Sequence, residues 1–356
     1  MEVRGSENKV KKSIYLDLWD YYDESVPFQI FIGAYGAGKS FSALKGGIER
    51  EIDFMYMRRT KEAFDACCAT PKGDMGNPFN PINDFTGWDI GLHKQGQKLA
   101  GIYERERDEN GLPQPKGAPK GSATYLGALA KVRGAGLERT KLIIYDEFIK
   151  ELHEPKMRGE FKALMRGYET INRNKEMRGE PPTQLWMISN AEDIYNPIFI
   201  GLGIVADCER MARKGQEHKY YKEKGLGVHL LKSNPEFLKR KSETAIMRLM
   251  AGTQFADVGL KNEFANNDFS LVGYKRLTGW QPVCHLDFAY IYKKKGEARW
   301  YVSYAEAKCA GFSAAMEQDE RLFRRKNALA LQDAFTHGVL DFESYELKEF
   351  ILEHIF

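Results

Sequence analysis

Short apolar runs recur along the chain, and each stops at a polar or glycine-rich break. Val26 to Ile32 (VPFQIFI) is apolar and β-prone, bounded by Pro27 and Gly33. LIIYDEF and QLWMISN repeat the pattern at residues 142–148 and 184–190. Such runs predict strands buried in a sheet core. Between them the pattern turns helical: SFSALKGGIERE follows the first run, TKEAFDACCA follows a further strand, DFMYMRR, and a polar helix-rich span runs from Glu151 to Pro182. Buried strands separated by helical spans predict an α/β fold with a mainly parallel, doubly wound sheet.

The flanks read differently. Residues 1 to about 25 predict a short amphipathic helix, with Ile14, Leu16, Leu18 and Trp19 on its apolar side. Residues 71–121 cluster Gly, Pro and Asn, and ERERDENGLPQPKGAPKGS predicts a hairpin with a long, mobile, mixed-charge loop. Beyond Ser233 comes a basic helix, EFLKRKSETAIMRLMAG. FSLVGYKRL, PVCHLDFAYIY and ARWYVSYAEA then predict a β-rich segment, with KKKGE as a hairpin turn, before the helical tail QDERLFRRKNALALQDAFTHG. The expected organisation is an N-terminal domain over 1–232, a helical linker over 233–267 and a C-terminal domain over 268–356.

At 356 residues the chain is long enough for one large domain or two ordinary ones. Its mean hydropathy of -0.51, with no long uncharged apolar run, predicts no transmembrane helix. The N-terminus lacks the apolar core of a secretory signal. Five cysteines without a CxxC or a Cys/His cluster argue against a disulfide framework or a zinc site, and a reducing cytoplasm is expected. The net charge of +3 does not mark a nucleic-acid binder, though local patches remain open to DNA.

One motif changes the picture. Gly33-Ala-Tyr-Gly36-Ala-Gly38-Lys39-Ser40 matches G-x-x-x-x-G-K-[ST] and sits between a strand and a helix. Glycines there let backbone N–H groups curl around phosphate oxygens, and the helix that starts at Lys39 aims its positive end at the same anion. Lys39 would meet the β/γ-phosphates of ATP, and the Ser40 hydroxyl would hold Mg²⁺. Such a loop needs a carboxylate strand, and LIIYDEF supplies one. Asp146 would hold Mg²⁺ through water or Ser40, and Glu147 would polarise the attacking water, which points to hydrolysis. Asn190, at the end of QLWMISN, either senses the γ-phosphate or simply closes a turn. Arg173 and Arg133 are candidates for an arginine that neutralises transition-state charge in a neighbouring subunit.

IGAYGAGKSFS, FMYMRRTKEAF, LIIYDEFIKE, MISNAEDIYNPIF and RLMAGTQFADVGLKNEF, in that order, resemble the DNA-packaging ATPases of the small phi29-like tailed phages. The resemblance covers nearly the whole chain and is weakest at 71–121 and at the C-terminal end. It implies a homo-oligomeric ring, five copies at the portal (connector) of an empty capsid, that pumps double-stranded DNA. It implies an ASCE-type P-loop ATPase domain and a C-terminal domain resembling an RNase H-like nuclease that has lost its metal site. A packaging RNA is a further possible partner. The implied location is the host cytoplasm, transiently at the portal vertex and outside the mature virion. On the family's pattern Arg173 falls on the trans-acting arginine finger. Arg133 falls on a second trans-acting basic residue that is a lysine in the family. Lys61 falls on a lysine facing the DNA channel. Tyr35 stands where the family's loop has arginine.

A translocating ring grips phosphates, so basic side chains are expected along its channel. The candidates are Lys61, Lys150 and, on the predicted loop, Lys116 and Lys120; the loop lysines serve equally as solubilising charge. Other readings stay open: another P-loop DNA-dependent ATPase, helicase-like or a partition motor; a nucleotide switch, which would not need Glu147; and a motor with an active two-metal nuclease drawing on Asp287, Glu306, Asp333 or Asp341.

Overall fold

A computed structural model describes residues 14–70, 73–129, 131, 137–151, 154, 157, 159–251, 253 and 268–356. The chain divides into two compact units, one of residues 1–193 with 214–265, the other of 194–213 with 266–356. The segment 194–213, with the helices Pro197–Leu202 and Val205–Lys214, therefore groups with the C-terminal residues, which the expected division into 1–232, 233–267 and 268–356 does not anticipate.

The first unit is built on a nine-stranded sheet. Its strands are β1 (Phe28–Gly33), β2 (Phe54–Arg58), β3 (Ile90–Lys94), β4 (Ala100–Arg107), β5 (Pro113–Tyr125), β6 (Leu142–Asp146), β7 (Gln184–Ser189), β8 (His218–Tyr221) and β9 (Leu226–Leu231). They lie in the order β3-β4-β5-β2-β6-β7-β1-β9-β8. The run from β5 to β9 is parallel, as the buried apolar segments predict, and antiparallel strands close both edges. One strand, β7, separates the strand before the glycine loop from the strand that ends in Asp146. The register sets Ile32 beside Ser189, and Asp146 beside both Ile188 and Arg58, so the polar C-terminal ends of β1, β2, β6 and β7 share one edge. Ligands of open α/β sheets bind at that edge.

The helices of this unit are α1 (Lys39–Glu49), α2 (Lys61–Cys67), α3 (Asn80–Thr86), α4 (Leu126–Leu129), α5 (Glu160–Asn172) and, after β9, the basic helix Pro235–Ser242 followed by Ala245–Leu249. Phe31, Phe54, Tyr56, Trp186 and Ile188 form the buried centre of the sheet.

Three expectations are corrected here. Within 14–25 the only helical piece is the single 3₁₀ turn Leu18–Tyr21. The chain runs instead as a strap over α1: Leu16 N–H donates to Ala37 O at 2.9 Å, Leu18 N–H to Ser42 Oγ at 2.9 Å, and the Trp19 ring lies over Gly46, where a Cβ would stand 1.9 Å from the indole nitrogen. Residues 73–121 are also more regular than the composition of 71–121 suggests. They hold α3 and three strands, and the mixed-charge stretch is the β4–β5 hairpin, closed by Asp108, whose carboxylate accepts from Asn110 and Leu112 N–H. Lys116 and Lys120 consequently stand on β5 rather than on a loop. The alternating charges that imitate a linker here pair across strands, as Lys120 does with Glu104 at 2.7 Å.

The second unit carries a five-stranded mixed sheet in the order β13-β10-β11-β12-β14: β10 (Trp280–Leu286), β11 (Ala289–Lys294), β12 (Trp300–Ser303), β13 (Ala310–Phe312) and β14 (Leu340–Phe342). Helices Glu317–Phe323, Leu329–Thr336 and Tyr345–Ile355 accompany it, with a core of Leu286, Ile291, Val302, Phe323, Phe342 and Ile351. KKKGE is the β11–β12 turn, as expected. PVCHLDFAYIY runs through β10 and β11, and the chain reverses between them at Asp287, whose φ of 46° is left-handed. FSLVGYKRL forms no strand among its described residues beyond a single bridge from Val272 to Phe342.

Candidate active site

The loop after β1 is bent by Gly36 (φ 71°) and Gly38 (φ 95°), both in the region that L side chains avoid. Gly38 then caps α1, and Lys39 and Ser40 are its first residues. The Lys39 side chain folds back beneath the loop and is 6% exposed. Its Nζ donates to Gly33 O at 2.7 Å, Ala34 O at 2.8 Å and Asn190 Oδ1 at 2.9 Å. Asn190 thus reaches the loop from the neighbouring strand β7. Ser40 Oγ donates to Asp146 Oδ1 at 2.7 Å, which joins the first turn of α1 to the end of β6.

Two side chains of β2, Tyr56 and Arg58, engage Asp146 and Glu147. Tyr56 OH donates to Asp146 Oδ2 at 3.1 Å, and Arg58 Nη1 donates to Tyr56 OH at 3.1 Å. Arg58 Nη2 pairs with Glu147 Oε2. Glu147 has a left-handed backbone (φ 53°), which turns its carboxylate away from the strand direction. Its side chain is 53% exposed at the pocket mouth. Burial of the carboxyl raises its pKa, Arg58 opposes that rise and Asp146 adds to it; the open side tempers the net effect.

Lys39, Ser40, Asp146, Glu147 and Asn190 line a pocket of about 740 Å³, together with Tyr15, Trp19, Tyr35, Phe41, Pro81 and Phe85. The volume suits a nucleotide. The donor set suits Mg²⁺, since Ser40 and Asp146 offer hard oxygens already 2.7 Å apart.

Lys39 makes one feature of the loop measurable. Burial pulls its ammonium pKa down to about 7, against the attraction of Asp146. A polyphosphate beside it favours the charged form and raises that pKa. Triphosphate binding at about pH 8 is therefore expected to take up protons, and affinity to fall as pH rises through the raised pKa. Binding heats in buffers of different ionisation enthalpy measure the uptake; a proton number of zero contradicts it.

The other candidates lie elsewhere. Arg173 caps the C-terminus of α5 in a left-handed conformation (φ 47°) and pairs with Glu138 at 3.7 Å; it does not line the pocket. Arg133 lies outside the described residues. Lys61 opens α2 and bonds Asp65 at 2.5 Å, Lys150 Nζ donates to Glu151 O at 3.3 Å, and Lys116 is exposed on β5. Sequence reasoning missed Tyr56 and Arg58. Their signal was the polar end of FMYMR, but only the pairing of Arg58 with Asp146 across β2 and β6 gives it meaning.

Comparison with known proteins agrees with this fold. The family model for the podovirus DNA encapsidation protein (Gp16) matches residues 121–305. A DNA packaging protein of Bacillus phage B103 is 27% identical over 255 residues, spanning 69% of this chain and 66% of that protein. Its counterpart in Bacillus phage phi29 is 24% identical over 249 residues, 68% of this chain and 63% of that protein. The chain thus spans just under two thirds of the length of these relatives. Among solved structures, the bacteriophage Phi-29 viral genome packaging motor assembly aligns with a TM-score of 0.60 at 17% identity, over 97% of this chain and 100% of that chain. The Phi-28 gp11 DNA packaging motor aligns with a TM-score of 0.57 at 18% identity, over 96% and 97%. The family match covers more than half of the sequence, and the chain belongs to the podovirus DNA encapsidation protein (Gp16) family.

Proposed function

We propose that the chain is an ATPase that drives double-stranded viral DNA into a preformed capsid. The observation that carries this reading is the Lys39–Asn190 and Ser40–Asp146 pair of contacts, which ties a phosphate loop to a carboxylate strand with Glu147 beside it. The relatives named as DNA packaging proteins and the motor-like fold supply the DNA.

In this reading the loop N–H groups and Lys39 hold the β- and γ-phosphates. Ser40 and Asp146 hold Mg²⁺, which supplies neutralising charge to the phosphate oxygens when bound. Glu147 accepts a proton from the attacking water, and Arg58 fixes where that carboxylate points. Asn190 ties Lys39 to β7. The strand inserted between β1 and β6 supports the ASCE assignment. The acting form is a ring of identical subunits, five by the family resemblance, at the portal vertex. Arg173 and Arg133 act on the neighbouring subunit, and Lys61, Lys116, Lys120 and Lys150 are the candidate contacts to DNA. The helical link between domains includes Pro235–Ser242, and its later residues lie outside those described.

The second unit is read as a nucleic-acid-binding domain of RNase H-like descent, supported by β12-β11-β10 running antiparallel with β13 parallel to β10. An active nuclease finds less support. Asp341 is bound by Lys275 at 2.5 Å and by Arg299 at 3.1 Å, and Asp287 lies at a turn. Among the described residues no group of three or more acidic, His or Cys side chains is arranged to hold a metal.

The test is ATP hydrolysis by the purified chain, with and without duplex DNA, at several protein concentrations. Stimulation by DNA and a rate rising more steeply than protein concentration are expected; the lack of any Mg²⁺-dependent hydrolysis would end the proposal. Duplex binding should be independent of sequence and fall steeply with salt, by orders of magnitude over a few-fold rise for a protein with several phosphate contacts. Salt-insensitive binding, read by fluorescence anisotropy, contradicts a grip on the backbone.

A further inference from the structure

The phosphate loop is contacted by a second lysine that the loop motif does not contain. Lys241 is in the last turn of the basic helix Pro235–Ser242, and its Nζ donates to Tyr35 O. Pairing of β9 with β1, which sets Leu231 beside Gly33, delivers this helix to the loop. Phe237 then packs with Ala34 and Ala37, and its ring meets Tyr15 at 5.8 Å. The ammonium of Lys241 also sits 5.5 Å from the Phe237 ring centroid. Lys241 is therefore held by packing against the loop, unlike Arg240 beside it, which pairs with Glu236 on its own helix.

The carbonyls involved are consecutive. Lys39 takes Gly33 O and Ala34 O, and Lys241 takes Tyr35 O. Two ammonium groups thus converge on one turn of backbone. Burial disfavours the charge on Lys241. Such an arrangement is costly for a bare protein and favourable for one holding a polyanion. The side chain of Tyr35 does not fill the role, because its hydroxyl is bonded to Glu192.

We propose that Lys241 is a positioning residue for the terminal phosphate of the nucleotide, supplied in cis by the helix after β9. It rests on the ATPase reading above. Lys39 is the loop's lysine for the β- and γ-phosphates, and Lys241 holds the carbonyl that follows the two held by Lys39. When a triphosphate enters, the ammonium exchanges the Tyr35 carbonyl for a charged oxygen, the stronger acceptor.

The test uses the full chain and three ligands, ATP, ADP and AMP, each with Mg²⁺. Lys241→Met keeps the stem over Phe237 and removes the charge; Lys241→Arg keeps the charge. Lys241→Met is expected to weaken ATP about tenfold or more, ADP less and AMP not at all, with an unchanged melting temperature without nucleotide. Lys241→Arg is expected to recover most of the ATP affinity. Equal losses for all three ligands, or no loss for ATP, overturn the proposal and leave Lys241 a strut of the loop. If Lys241→Met melts early, Lys241→Arg decides: equal weakening of ATP and AMP overturns the proposal, and retained preference for ATP supports it. Wild-type protein that binds none of the three overturns the ATPase reading instead.

Discussion

Glu147→Gln should bind ATP with Mg²⁺ and hydrolyse it about 10²–10⁴-fold more slowly than the wild type. The substitution keeps the size of the side chain and leaves one oxygen for Arg58. It removes only the capacity to accept a proton. Ser40, Asp146, Lys39 and Asn190 keep their mutual hydrogen bonds, so nucleotide affinity should persist. The backbone supports a dedicated role for this residue. A left-handed glutamate costs about 1–3 kcal/mol, and such conformations persist where the surrounding structure imposes them. Here β6 ends at Asp146, and the turn at Glu147 brings the carboxylate to Arg58. Turnover and equilibrium binding of ATP, measured on the same preparation, give the answer. Near-normal turnover removes Glu147 from the chemistry, and lost binding makes it a structural residue of the pocket.

The candidate site was legible in the sequence because its parts are local. Eight consecutive residues make the phosphate loop, and Asp146 and Glu147 follow directly on an apolar strand. Their meeting was legible only as a type: the 2.7 Å contact between Ser40 and Asp146 spans 106 residues and depends on the order β6-β7-β1. Arg58 was missed for the same reason. Nothing in RRTKE says which of its two arginines faces Glu147; the sheet register does, and it sends Arg59 instead to Glu160 at 3.0 Å. The hairpin at 104–121 misled because charge alternation with Gly and Pro has the composition of a linker, while cross-strand pairing gives it structure. The strap at 14–21 misled because apolar residues that lie on a neighbouring helix imitate the spacing of a helix of their own. Lys241 carried no local signal at all, since a basic helix usually means a solvated face.

Arg173→Ala should bind ATP normally and hydrolyse it poorly, because an arginine finger is worth about 10³–10⁵ in rate. The structure separates Arg173 from its own pocket in a useful way. It ends α5 on the surface, its side chain is 45% exposed, and its partner within the chain is Glu138 at 3.7 Å, a distance at which an exposed pair contributes little. Releasing it to a neighbour therefore costs little. Arg173 and Asn174 are both left-handed, and Arg178 donates to Arg173 O at 2.6 Å, so the backbone that presents the side chain is held while the side chain is not. A finger acting in trans makes two defects separable. A Glu147→Gln subunit lacks its own base but keeps Arg173. An Arg173→Ala subunit keeps its base, its Ser40–Asp146 contact and its loop. Mixed in one ring, the first can complete the site of the second, and hydrolysis should exceed the sum of the two mutants measured alone. Titrating one mutant into the other gives a rate that peaks at intermediate ratios. If no ratio restores activity under conditions where wild-type subunits assemble into active rings, Arg173 acts in cis or only caps α5, and Arg133→Ala becomes the variant to mix with Glu147→Gln.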